Sequence, residues 1–261
     1  MKPRTRSNIA SSFTIIKGAM IDETYAVFAA WDFSRSKREN LDHLRESNFI
    51  GASSASWLRD VAKVLNRRFD PGDRDRALVH LAQNRCNLEE WKPLLLWHMT
   101  RDEFLLRDFL QNWLFSAYES GVFRINPESL HPYLLGIGSH GGSTEHAWSP
   151  RTLERVAAGL LGIAVDFGLL RGTVGKEFAS YHLPERSFLY LLHALHDEKL
   201  NPGKVISAPD WRMFLMRSED VEREVLRLHQ FRKLDYQVAG SLAQLSLPSA
   251  NSYEYAERMV A

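Results

Sequence analysis

Apolar residues recur three or four positions apart along most of this chain, which is the spacing of one face of an α-helix. The stripe from Ile21 to Trp31 predicts a helix over residues 18–33. Residues 104–115 are apolar most of the way round a helical wheel, which is typical of a helix that is buried on several sides. We therefore expect a mainly α-helical fold, with this second helix at the centre of the core.

Capping residues predict where several helices begin. In a capping box the first side chain accepts a hydrogen bond from the backbone three residues later, and the Glu at that position accepts one in return. This pattern occurs at Ser36 with Glu39, Asn87 with Glu90 and Thr100 with Glu103. Ser149 followed by Pro150 predicts a further helix that ends near residue 167. Ser218 is expected to cap a later long helix.

The chain shows one candidate for a domain junction. Between residues 121 and 149 the composition shifts to Gly, Pro, His and Ser, as in a junction or a long functional loop. Residues 169–181 predict a short β-hairpin, and residues 235–247 are ambiguous between a strand and a loop. We expect two packed helical subdomains, 1–124 and 125–261, with helix-turn-helix or winged-helix-like elements and at most a short β-hairpin.

Charge and composition exclude several classes of protein. Lys and Arg number 33 against 32 Asp and Glu, so a nucleic-acid surface has to come from local segregation of charge. The single cysteine, Cys86, excludes an internal disulfide and a cysteine-ligated zinc site, which fits a reducing compartment. No segment reaches the roughly 18 apolar residues that span a bilayer. We therefore expect a cytoplasmic protein without membrane contact.

Residues 53–68 predict an amphipathic helix whose inner side carries Trp57, Val61, Val64 and Leu65. A short preceding helix and a glycine-containing turn complete a helix-turn-helix outline, in which the second helix lies in the major groove. Serines would donate to phosphates or base edges, and a basic row would hold the backbone. The candidate DNA-contacting residues are Ser53, Ser54, Ser56, Arg59, Lys63, Arg67 and Arg68. The alternative is a solvated helix face that happens to be basic.

A second candidate unit covers residues 149–181, where a capped helix is followed by the hairpin, as in a winged helix. Arg151 and Arg155 would face the groove of the DNA, and Arg171 and Lys176 would lie on the wing. The alternative is a capped helix and a hairpin that bind no ligand.

The sequence carries no catalytic signature that exceeds chance. Residues 136–141 match the letters of a dinucleotide-binding fingerprint, but His131 and Pro132 precede them where a buried strand should end. His193 and His196 lie one helical turn apart, but a catalytic metal site usually takes three protein ligands and no third is evident. We therefore expect no enzyme activity, no metal and no cofactor.

Several motifs occur in the order seen in a known family. They are Ser12-Phe13-Thr14 before Lys17-Gly18-Ala19, Asn48-Phe49-Ile50-Gly51 before a helix that ends Arg67-Arg68-Phe69, Ser149-Pro150, Lys176-Glu177-Phe178, and Arg232-Lys233-Leu234-Asp235-Tyr236. In this order and spacing the chain resembles the BrxA family, a component of BREX bacteriophage-defence systems, over nearly its whole length. The resemblance implies a helical accessory protein that acts beside a methyltransferase and other large partners, with DNA binding as its activity. It implies no catalytic residues.

The function we expect is that of a non-enzymatic, monomeric accessory protein of BREX phage defence that binds double-stranded DNA. Two alternatives stay open. The near-zero net charge suits an adaptor that docks onto other BREX components. The family has also been compared with NusB-like RNA-binding proteins, which would make RNA the ligand.

Overall fold

The computed structural model describes residues 8–144, 146–198, 200–239 and 242–261, which are mainly helical. Its α-helices are α1 (Ser12–Ile16), α2 (Ile21–Ala29), α3 (Lys37–Ser47), α4 (Ala55–Arg68), α5 (Arg76–Gln83), α6 (Leu88–Met99), α7 (Phe104–Asp108), α8 (Phe115–Glu119), α9 (His131–Leu135), α10 (Pro150–Asp166), α11 (Glu185–Asp197), α12 (Pro202–Ile206), α13 (Ser218–Gln230) and α14 (Ser252–Val260). The strands are β1 (Leu170–Arg171), β2 (Glu177–Phe178), β3 (Asp235–Ala239) and β4 (Leu242–Ser246). The expected mainly α fold is confirmed.

The predicted central helix is present, with a local change of winding. A π-helical segment, Phe109–Leu114, joins α7 to α8 in the middle of residues 104–115. Leu105, Leu106, Phe109 and Leu110 are completely buried in this region. The nearly all-round apolar pattern therefore indicated burial correctly.

Two of the predicted helix starts follow the sequence closely. Ser36 Oγ accepts a hydrogen bond from Glu39 N at 3.2 Å, and Glu39 Oε2 accepts one from Ser36 N at 2.7 Å, so this capping box is confirmed. Asn87 also caps its helix, but its side chain accepts from Glu89 N, and the predicted pairing with Glu90 is not the one formed.

The capping box predicted at Thr100 with Glu103 is wrong. Thr100 ends α6, and its hydroxyl donates to the carbonyl oxygen of Trp97 at 2.8 Å. Glu103 does precede α7, but its carboxylate turns into the core, where the Thr14 hydroxyl donates to it at 2.9 Å. A buried tertiary partner has replaced the local hydrogen bond.

The predicted domain division has no matching break in the packing. A single cluster of buried apolar side chains continues across residues 124 and 125. Helices from the two sides pack together, as α5 does against α14 and α6 against α11. The division into residues 1–124 and 125–261 stays a prediction about folding units.

The short helix α1 connects the two helices that were predicted to bind DNA. It packs against α10, where Gly159 allows a close approach, because a Cβ there would lie 2.7 Å from the carbonyl oxygen of Ile15. Its other neighbour is α4, whose Arg68 donates to the carbonyl oxygen of Thr14 at 2.9 Å. α4 and α10 are thus both anchored to one segment.

The hairpin predicted over residues 169–181 is confirmed, since β1 and β2 pair antiparallel with Arg171 opposite Glu177. The ambiguous residues 235–247 form a second hairpin, in which Tyr236 of β3 lies opposite Leu245 of β4. The described residues therefore form one hairpin more than expected. Across the described ranges, no helix has the length and apolar character that a membrane crossing requires.

Candidate nucleic-acid interface

The turn before α4 is organised by side chains. The Asn48 amide accepts from Ala52 N at 2.8 Å and donates to Ala52 O at 3.0 Å. Ser54 Oγ accepts from Trp57 N at 3.1 Å and so caps the helix. α3 packs against α4 across this turn, and Ser53 and Ser54 are exposed at the N-terminal end of α4. These serines are therefore accessible to solvent, while their contact with DNA and the helix-turn-helix assignment stay predictions.

The outer face of α4 carries an exposed polar row. Its members are spaced three or four residues apart, which places them on one side of the helix: Ser56, Arg59, Lys63 and Asn66. The predicted inner residues lie on the opposite side, and Val61, Val64 and Leu65 are buried there. The amphipathic geometry inferred from the sequence is therefore confirmed.

The one acidic residue in α4, Asp60, is paired by a neighbouring element. Lys17, just after α1, donates to the Asp60 carboxylate at 2.5 Å. This ion pair offsets the only negative charge of the helix. Arg59 and Lys63 are exposed to solvent, and no unpaired carboxylate of α4 opposes their positive charge.

Arg68 was predicted to lie beside the basic row, and the structure corrects this. Its side chain is only 1% exposed. Its guanidinium donates to the carbonyl oxygens of Thr14, Gly18 and Ala19 at 2.9, 3.0 and 3.1 Å. These carbonyls belong to α1 and the turn that follows it, so Arg68 joins α4 to α1. It does not belong to the candidate site.

A buried carboxylate lies beneath the end of α4. Glu103 Oε1 is 3.5 Å from Arg68 Nε and 3.7 Å from Arg67 Nε. Burial raises the pKa of Glu103, and the two arginines oppose that shift. Arg67 keeps 31% of its side chain exposed. Arg67 is therefore shared between this carboxylate and the surface.

The first turns of α10 are exposed, as predicted. Ser149 Oγ accepts from Thr152 N at 3.2 Å, which confirms the helix cap. Arg151 and Arg155 are exposed on neighbouring turns, and Glu154 is exposed between them. This helix therefore presents two cations and one anion, which is a weaker positive field than that of α4.

The predicted wing residues have partners inside their own hairpin. Lys176 Nζ donates to the carbonyl oxygens of Gly172 and Thr173 at 2.7 and 2.8 Å. Arg171 is exposed, and its guanidinium lies 3.5 Å from the Glu177 carboxylate. These contacts weaken the case for both residues as DNA contacts, because a phosphate would have to compete with them.

A groove of about 460 Å³ lies beside α4, and residues from the segment before α10 also line it. It is lined by residues 9–13, by Lys63, Asn66 and Arg67 of α4, and by His146 and Trp148. Trp148 immediately precedes Ser149, the cap of α10, and His146 lies three residues before that cap. Within the part of the chain that the structure describes, no acidic side chain lines this groove.

The groove contains residues that sequence reasoning did not select. Lys63 Nζ lies 4.3 Å from the centroid of the Phe13 ring, a cation–π contact. Asn66 is exposed on α4, and Trp148 is partly buried against the core. Phe13, Asn66 and Trp148 are far apart in the chain, so no local pattern links them, although Asn66 lies one helical turn after the selected Lys63 and that spacing was a usable signal.

A series of hydrogen bonds through His98 resembles catalytic geometry, but its side chains are buried away from solvent. His98 Nδ1 lies 2.6 Å from Asp75 Oδ1, and His98 Nε2 lies 2.8 Å from the Tyr190 hydroxyl. Burial lowers the pKa of His98, and the hydrogen bond and charge of Asp75 oppose that shift. All three side chains are buried, and the chain of bonds therefore supports the packing of α6 against α11.

His193 is also used inside the fold. Its Nδ1 lies 2.7 Å from the carbonyl oxygen of Leu189, and its Nε2 accepts from Ser249 N at 3.3 Å. The ring stacks on Tyr255 with centroids 4.6 Å apart. In the described ranges, no group of three or more His, Cys, Asp or Glu side chains is arranged to hold a metal ion.

A comparison with known families decides what the chain is related to. The family model described as BrxA matches residues 11–194, which include α4, α10 and the first hairpin. The chain belongs to the BrxA family. It is a BREX-associated defence protein, and the family is an accessory, non-catalytic type of BREX component. The resemblance drawn from the motifs is confirmed. No curated protein and no solved structure matches the chain.

Proposed function

We propose that this BrxA-family chain binds double-stranded DNA, through the outer face of α4 and the groove beside it. The observation that carries the proposal is the segregation of charge on a nearly neutral protein. The formal net charge is +1, yet Arg59 and Lys63 face outward while Asp60 is paired with Lys17. Local segregation of this kind is what a near-neutral protein needs to hold a polyanion.

In the proposed complex the N-terminal end of α4 enters the major groove. Ser53, Ser54 and Ser56 are exposed there and donate to phosphates or base edges. Arg59 and Lys63 follow along the helix and hold the phosphate backbone. Contacts of this kind carry little sequence information, so binding is expected to tolerate many sequences.

Other predicted residues would extend the contact. Arg67 contributes with the part of its side chain that is exposed. Arg151 and Arg155 reach a neighbouring stretch of backbone from α10. Arg171 and Lys176 would contribute only after leaving Glu177 and the turn carbonyls. If about six phosphates are contacted in all, log affinity falls with log salt at a slope near −5.

The test is a salt titration with a double charge reversal. Arg59→Glu with Lys63→Glu should weaken duplex binding by roughly 30-fold at low salt and flatten the slope by about 2. Arg67 is left intact, because Glu at that position would face the Glu103 carboxylate and disturb folding. The matched control is Lys204→Glu with Arg223→Glu, two exposed cations on α12 and α13. Unchanged affinity in the folded α4 variant would contradict the proposal.

A second candidate function, docking onto another BREX component, is favoured by an exposed apolar pair. Phe123 and Val174 are 78% and 81% exposed. The segment after Phe123 joins the hairpin that carries Val174 through a bridge between Ile125 and Lys176. Exposed apolar residues that form one patch mark protein interaction sites, and the bridge brings the segments of these two residues together. Phe123→Ser with Val174→Ser should reduce co-purification with BREX components and leave DNA affinity unchanged.

RNA as the ligand predicts a different order of competition. Duplex DNA, single-stranded DNA and structured RNA are titrated against one labelled duplex. We expect duplex DNA to compete best. Stronger competition by structured RNA would instead support the NusB-like alternative.

A further inference from the structure

The groove beside α4 differs in chemistry from the outer face of the same helix. The outer face carries serines and cations, whereas the groove adds two aromatic rings, those of Phe13 and Trp148. Its volume of about 460 Å³ lies within the range of small-molecule sites, roughly 300–1,000 Å³. A concave site of this size suits one nucleotide and is too small for a duplex.

Cations are placed to hold a phosphate at the groove. Lys63 and Arg67 both line it, and the Phe13 ring supports the Lys63 ammonium at 4.3 Å. The Glu103 carboxylate near Arg67 is completely buried, so it lies beneath the groove and outside its lining. The exposed ring of His146 adds a further polar group at the edge.

An aromatic ring and an amide are placed to hold a base. Trp148 is partly buried against the hydrophobic core, which holds its position while it lines the groove. Every base has a π-face that stacks on such a ring. Asn66 projects from α4 into the same lining, and an Asn side chain can pair with the edge of adenine.

We propose that this groove binds a single unpaired nucleotide of a DNA strand. The base stacks on Trp148, Asn66 bonds its edge, and Lys63 and Arg67 hold the phosphate. The inference rests on the proposed duplex binding, because Lys63 belongs to both surfaces. The chain therefore binds a duplex that carries an extruded or unpaired base more tightly than an uninterrupted duplex.

The test compares three short DNA ligands of otherwise identical sequence. One is a perfect duplex, the second carries one extra unpaired adenine, and the third carries an abasic residue at that position. Stacking of one base on an aromatic ring strengthens nucleic-acid binding, so the unpaired adenine should raise affinity about tenfold over the perfect duplex. The abasic ligand should bind within about twofold of the perfect duplex, because it offers no ring to stack.

Variants assign the preference to the groove. Trp148→Ala should reduce the ratio of adenine bulge to perfect duplex to about one, and Trp148→Phe should keep part of it. Asn66→Ala, at an exposed position, should lower the ratio without affecting folding. Arg151→Ala is the control, because Arg151 does not line the groove and should weaken all three ligands equally. With 2-aminopurine as the unpaired base, stacking on Trp148 should quench its fluorescence.

Each remaining outcome is informative. Equal affinity for all three ligands, with duplex binding retained, overturns the groove inference and leaves the proposed function standing. Equal gains from the adenine bulge and the abasic bulge show that DNA flexibility is recognised and the base is not, which also overturns it. Failure to bind any of the three ligands overturns both.

Discussion

α4 and α10 begin alike but present different surfaces. Each is opened by a serine whose hydroxyl accepts a backbone hydrogen bond, Ser54 in one case and Ser149 in the other. On α4 the single acidic residue is neutralised by Lys17 from another element. On α10 Glu154 is exposed among the arginines. The electrostatic field at a helix surface therefore depends on which of its carboxylates form ion pairs with other elements. By this measure α4 is the better candidate to bind a polyanion.

The largest expected effect tests which basic residues of α4 stabilise the fold and which are only exposed at its surface. Arg68→Leu should destabilise the fold by about 3–5 kcal/mol, because it removes one partner of a buried ion pair and leaves three carbonyls without a donor. Arg59→Leu, at an exposed position, should change stability by less than about 0.5 kcal/mol. Urea denaturation measures both.

A second substitution separates charge from packing at this site. Adding Glu103→Gln to Arg68→Leu should recover part of the loss, because it removes the buried carboxylate that was left behind. Similar stability for Arg68→Leu and Arg59→Leu would show that Arg68 does not join α4 to α1.

The local sequence pattern was sufficient to predict the helices. It was insufficient to predict which side chains from distant segments contact each other. Periodicity predicted the buried face of α4 because Val61 and Leu65 lie on one stripe whatever packs against them. Arg67 and Arg68 are adjacent basic residues, and only the position of α1 decides that the second is buried. The three-residue spacing of Thr100 and Glu103 is compatible with a capping box and equally compatible with a Glu103 carboxylate that points into the core.

The candidate site shows the same limit. The serines and the exposed row of α4 follow from one helix and were predictable. The groove requires Phe13, Lys63 and Trp148 to meet, and their meeting depends on how α1 packs between two distant helices. Lys176 was a reasonable wing residue by position, but its contacts with the carbonyls of its own turn form only once the hairpin has closed.

The next prediction compares how the two helices are anchored as pH changes. Asp75 holds the C-terminal end of α4: it accepts from Asp70 N, and its partner Arg74 donates to the carbonyl oxygen of Arg68. Burial alone would raise the pKa of Asp75, but His98 and Arg74 lower it to about 2. At neutral pH, Asp75→Asn should therefore cost roughly 2 kcal/mol.

The sign of the pH effect follows from the lowered pKa. The ionised carboxylate stabilises the fold above about pH 4. This contribution is lost as the pH falls from 3.8, the ordinary pKa of an Asp carboxyl, towards 2, the lowered pKa of Asp75 in the fold. The difference between wild type and Asp75→Asn should shrink over that window. Ser149→Ala, at the cap of α10, should cost about 1 kcal/mol at every pH, because a hydroxyl does not titrate there. A constant Asp75→Asn deficit down to pH 2 would contradict the assignment.

A smaller effect is expected from reversing the charges of α10. Arg151→Glu with Arg155→Glu should weaken duplex binding by about fivefold and reduce the salt slope by about 1, against the larger losses proposed for the α4 pair. Electrophoretic mobility shift at two salt concentrations provides both quantities. A loss as large as that of the α4 pair would reverse the comparison and make α10 the principal contact.

The smallest effect isolates the carboxylates themselves. Glu154→Gln should raise duplex affinity by about two- to threefold at low salt, because it removes an exposed negative charge beside Arg155. Asp60→Asn removes the same charge from α4 but also releases Lys17 from its partner. The charge of the surface rises by one unit in both variants, so Asp60→Asn should raise duplex affinity by a similar factor, because it leaves Lys17 as an unpaired cation. Both gains should vanish at high salt, where exposed charges are screened. A larger gain from Asp60→Asn would place Lys17 at the interface and extend the α4 surface onto α1.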